Sequence, residues 1–68
     1  MIVINTPLKQ ELFINFAEGE GLIFIKQSGM NLFFDNPGGE DGKKADTLKK
    51  KLKSEKALAA IYFQVQAQ

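Results

Sequence analysis

Carboxylates, lysine ammoniums and a few hydroxyls are the only side chains here suited to chemistry, because the sequence has no histidine, cysteine or arginine. Without histidine or cysteine the usual nucleophile–base pairs cannot be assembled. The commonest metal-binding imidazole and every thiolate site are excluded as well, and so are disulfides. Two carboxylates alone can hydrolyse a glycosidic bond. Here, however, Glu18, Glu20, Glu40 and Asp41 fall in glycine-rich, turn-forming stretches rather than in a sheltered pair. Asp35-Asn36-Pro37-Gly38-Gly39-Glu40-Asp41-Gly42 is rich in hard oxygen ligands, but it lacks the EF-hand spacing and Pro37 interrupts the register. It reads as an acidic surface loop. Gly42-Lys43 is followed by Lys44 where a phosphate-binding loop needs serine or threonine. The sequence therefore predicts a non-enzymatic protein with no cofactor, no metal and no small-molecule substrate.

Binding chemistry is better represented. All nine basic residues are lysine, which removes the bidentate fork suited to guanine and phosphate. Residues 1–42 carry two lysines against six acids, a charge of −4; residues 43–56 carry seven lysines against Asp46 and Glu55, a charge of +5. Such polarity along a chain points to charged partners. On a helical wheel Lys43, Lys49, Lys50, Lys51, Lys53 and Lys56 spread over most of the circumference outside an apolar stripe. That spread fits a solvated face that keeps a small protein soluble. It also fits a surface meeting nucleic acid or an acidic partner.

The elements that would position these groups follow from periodicity. Ile2-Val3-Ile4 reads as a first strand, stopped by Asn5-Thr6-Pro7. Glu11 to Ala17 alternates with period 2, with Leu12, Ile14 and Phe16 on one side and Phe13, Asn15 and Ala17 on the other, as a strand does. Glu18-Gly19-Glu20-Gly21 then reads as a hairpin connection, Leu22–Lys26 as the returning strand, and Met30–Asp35 as a third meander strand after a turn at Gln27-Ser28-Gly29. The run from Asn36 to Gly42 is the strongest breaker. A helix is expected from Lys43 or Asp46, with Asp46 as N-cap and Ala45, Leu48, Leu52 and Ala59 in its buried stripe. The stripe decays near residue 56, and residues 58–66 alternate as a final strand; continuation of the helix to Tyr62 is the rival pattern. The predicted class is α+β: a single domain over residues 1–68, with an antiparallel meander sheet of about four to five strands packed on one Lys-rich helix. A half-closed SH3-like or OB-like barrel is the alternative architecture.

If the helix covers Ile2, Ile4, Leu12, Ile14, Phe16, Ile23, Ile25, Leu32, Phe34, Ile61, Phe63 and Val65, the opposite sheet face carries Phe13, Phe24, Phe33 and Tyr62 beside Val3 and Leu22. Such a face is the second wall of a barrel, an interface with a protein, or a platform for stacking unpaired bases. The first functional expectation is a protein-interaction module that self-associates or docks on a larger protein as an accessory subunit or inhibitor, a size that suits viral or plasmid proteins. Phe13, Phe24, Phe33 and Tyr62 would form its contact. The alternative is single-stranded nucleic-acid binding, with the same aromatics stacking bases and Lys26, Lys49, Lys50 and Lys53 meeting phosphates. The missing arginines and the absent aromatic RNP1 run of an RRM count against it. Met1 to Asn5 is too short to cross a membrane and lacks the pattern of a signal peptide, so the expected compartment is the cytoplasm and no membrane partner is expected.

Overall fold

Three β-branched residues, Ile2, Val3 and Ile4, favour extended backbone and open the chain as strand β1 (Ile2–Asn5). A computed structural model describes all 68 residues. After β1 come helix α1 (Gln10–Gly19), strands β2 (Ile23–Ser28) and β3 (Asn31–Asp35), helices α2 (Asp41–Ser54) and α3 (Lys56–Ala59), and strand β4 (Gln64–Ala67). The four strands form one open antiparallel sheet in the order β2-β3-β1-β4. The class is α+β, as the sequence predicts, with four strands. The sheet is no meander and closes into no barrel. Each connection through a helix passes over a strand contributed by the other half of the chain, which is the split β-α-β connectivity.

The segment Glu11–Ala17 is helix, not strand. Phe13 and Ala17, one turn apart, enter the core, and Ile14 and Phe16 pack against it. The alternation that reads as period 2 is a helix with apolar residues on more than one side: Leu12 remains 42% exposed. Glu18-Gly19-Glu20-Gly21 accordingly ends a helix rather than turning a hairpin. The backbone amides of Glu20 and Leu22 both donate to the Ala17 carbonyl, and Gly21 takes a φ of 91° that a side chain would resist. The true hairpin joins β2 to β3 through Gly29-Met30, with Gly29 at φ 59°.

Register assigns the faces of the sheet. Ile2 stands opposite Phe34 and Ile4 opposite Leu32; all four are fully buried under the helices together with Phe13, Ala17, Leu48, Leu52, Leu58 and Phe63. In β2 the expected faces are exchanged. Leu22 and Phe24 point to the core, whereas Ile23 and Ile25 are 53% and 47% exposed. A bulge between Phe24 and Lys26 adds one residue, so Ile25 and Lys26 together oppose Phe33.

Helix α2 starts at Asp41, earlier than the Asp46 cap expected; Asp46 lies inside it and pairs with Lys50 at 3.2 Å. Ala45, Leu48 and Leu52 form its buried stripe. Glu55, extended at φ −82° and ψ 118°, separates α2 from the single turn of α3. The expected strand over residues 58–66 is therefore shorter and later, and Ala59 is exposed. No helix is long and apolar enough to cross a membrane.

Candidate functional site

Two surfaces bring together residues that could make contacts. The first is the sheet face that no helix covers. Cross-strand partners share a face, so Val3, Phe33, Lys26 and Gln66 lie together across all four strands, with Ile23 and Asp35 at one end and Asn5, Asn31, Ser28 and Gln64 at the other. Phe33 is half-buried at its centre, and the Lys26 ammonium stands 5.1 Å from the ring centroid, within range of a cation–π contact. Asn5 Nδ2 donates to Asn31 Oδ1 at 2.8 Å, tying two amides of the polar margin. Lys26 and Asp35 are the only charged residues of this face.

The four aromatics expected on one face are dispersed. Phe13 is fully buried in α1, its ring 5.1 Å from that of Phe63 and tilted by 59°. Phe24 leans on Phe34 at 5.6 Å on the helix-covered side. Only Phe33 occupies the open face, and Tyr62 sits outside the sheet, 76% exposed between α3 and β4. The lysines divide as well. Lys26 belongs to the open face, whereas Lys49, Lys50 and Lys53 lie on α2 in the other layer, with Lys50 held by Asp46.

The second surface gathers three of the residues expected from sequence. Lys49 and Lys53, four apart and so on one flank of α2, line an open hollow of about 460 Å³ with Tyr62, Gln64, Ala59, Ile61 and Phe63. Phe63 is anchored in the core by Phe13, which turns its neighbour Tyr62 outward. Gln64 Nε2 donates to the Tyr62 hydroxyl at 3.0 Å and orients the ring. Neither Lys49 nor Lys53 has a carboxylate partner; the ion pairs of the chain are Lys50–Asp46, Lys51–Glu20 and the Met1 ammonium with Asp41.

Sequence reasoning missed Ile23 and Ile25 as exposed apolar groups: the segment before β2 imitates a hairpin but is a helix end, which reverses the phase at Ile23, and the bulge at Ile25 has no local signal. It also missed a cleft of about 310 Å³ between α1 and α3, lined by Leu12, Asn15, Phe16, Glu55, Ala57 and Leu58, which exists only because 10–19 is helix. A hydrogen bond from the Met1 ammonium, then one from Asn36, holds the Asp41 carboxyl below the ordinary aspartate value. No group of three or more acidic side chains comes close enough together to hold a metal ion. A scan against protein-family models found no match, and searches of curated proteins and of solved structures likewise found none.

Proposed function

We propose that this chain is a small non-enzymatic interaction module whose contact surface is the uncovered face of the sheet, and that a second copy of the chain covers it. The observation that carries the reading is the composition of that face. An apolar centre of Val3 and Phe33, continued by Ile23 at one end, is bordered by amides at the other, with only Lys26 and Asp35 charged. Interface centres are likewise depleted of charge and enriched in aromatics. The two charges have opposite sign, so a two-fold axis lets Lys26 of one copy meet Asp35 of the other in both directions, as an isologous contact requires. The surrounding Asn and Gln side chains both donate and accept, and they pair equally well with their own kind. A domain this small buries only about 60% of its unfolded surface, and association supplies the cover its second sheet face lacks.

Sedimentation from low-micromolar to near-millimolar concentration tests the proposal. The wild-type chain is expected to pass from monomer to dimer. Phe33→Ala should weaken association by about tenfold or more, the effect of removing a central aromatic anchor. Asp35→Lys should weaken it too, and adding Lys26→Asp should restore it. A wild-type chain that stays monomeric throughout, or a charge exchange that fails to restore association, would overturn the self-association reading and leave a larger protein as the occupant to be sought.

A further inference from the structure

The hollow between α2 and β4 shares only Gln64 with the sheet face, and its lysines and tyrosine are distinct from Phe33, Lys26 and Asp35. We infer that it holds a nucleoside phosphate, either free or as one unit of a single strand, with its phosphate on Lys49 and Lys53 and its base on the ring of Tyr62. Three observations converge on that ligand. Two ammoniums without carboxylate partners stand one helical turn apart, so a single phosphate can be reached by both. Beside them an aromatic ring is 76% exposed and held by Gln64, leaving a flat surface free for stacking. Ala59 and Ile61 complete an apolar wall, and the volume of about 460 Å³ lies within the usual range for ligand clefts.

A base needs a flat apolar partner and a phosphate needs cations, and the hollow offers both side by side. An acidic peptide would use the lysines but has no planar group to place on Tyr62. The chain supplies no residue to transform the ligand, so the inference concerns holding it. Acting on the other layer of the fold, this site also avoids the difficulty that α2 lysines and open-face aromatics cannot serve one strand together.

Tyr62 is the only tyrosine and there is no tryptophan, so its ring protons report on this site alone. The test is NMR titration of the full chain with thymidine monophosphate and, separately, with a short oligothymidylate. Expected are upfield shifts of the Tyr62 ring protons, with amide shifts confined to α2, α3 and the start of β4. Saturation by the monophosphate alone assigns the free nucleotide; saturation only by the oligomer assigns the strand. One phosphate neutralised on a single strand predicts a log–log salt slope of about −0.7, or roughly 2.6-fold weaker binding from 50 to 200 mM salt. Lys49→Gln with Lys53→Gln should abolish that slope, and Tyr62→Leu, at an exposed position, should weaken binding about tenfold with unchanged circular dichroism. Phe33→Ala should change nothing here, which separates this site from the sheet face. Absence of ring shifts with both ligands overturns the inference. So does an equal response to polyphosphate or an oligoglutamate, which would mark a mere anion-attracting patch.

Discussion

Replacing Phe13 should injure the fold rather than any contact with a partner. Its side chain is fully buried in α1 and its ring meets Phe63 at 5.1 Å. Phe→Ala in a packed core costs about 3–5 kcal/mol. At roughly 0.05–0.15 kcal/mol per residue, a chain of this length has a total stability on the order of 3–10 kcal/mol, so the alanine variant is expected to lose a third or more of it and to unfold outright at the low end of that range. Phe13→Leu keeps volume and apolarity but loses the aromatic pair, worth about 0.5–1.5 kcal/mol. Urea unfolding followed by circular dichroism should then show its midpoint lowered by about 0.5–1.5 M, for a slope of about 1 kcal/mol/M. Phe63→Leu should behave alike. Because the pair is broken by either change, the double variant should fall short of the summed losses by about the pair energy. A Phe13→Leu chain as stable as the wild type, or strict additivity with Phe63→Leu, would refute the placement of Phe13 against Phe63. Phe33→Leu, at a half-buried position, should move the midpoint far less in the monomer.

Glu40 holds φ 53° just before α2 and makes no side-chain cap, so Glu40→Gly should stabilise the chain by about 1 kcal/mol, read as a raised urea midpoint; a lowered midpoint would contradict the left-handed backbone there. Asp41 has a carboxyl pKa lowered by the Met1 ammonium and by Asn36, so the unfolded state binds its proton first as pH falls. Its charge-dependent contribution should be complete above about pH 5, beyond the unfolded value near 3.9, and should disappear as pH drops through the lower folded value. Stability of wild type and Asp41→Asn compared from pH 6 to pH 2 should show a constant gap that closes only in acid, and a gap indifferent to pH would refute the ammonium contact.

Where local preference and tertiary demand agree, the sequence is legible. Ile2-Val3-Ile4, the strand ending at Asp35, the breaker from Asn36 to Gly42 and the stripe of Ala45, Leu48 and Leu52 all emerge from residue order. Helix α1 does not, because its start carries no capping side chain. Lys9 enters it in the left-handed region, and β-branched and aromatic residues within it imitate a strand. Phe24 and Ile23 changed places because side-chain alternation in β2 is counted from a hairpin that is really a helix end. Tyr62, Lys49 and Lys53 could each be singled out by type. Their meeting depends on how β4 docks beside β1, and no local pattern encodes that.

That docking has a consequence for how the molecule comes into being. Strand β1, which leaves a ribosome before either of its partners, lies inside the sheet, with Ile4 paired to Leu32 on one side and Val65 on the other. Neither neighbour exists when β1 is made, and the second follows only after β2, β3 and α2. A fold dominated by such distant pairings closes slowly relative to a helical bundle of equal length. Until β4 arrives, one flank of β1 is an unsatisfied edge beside bare isoleucines, a state prone to capture by other chains. Strand β4, Gln64-Val65-Gln66-Ala67, thus completes the inside of the sheet while leaving an uncharged outer edge.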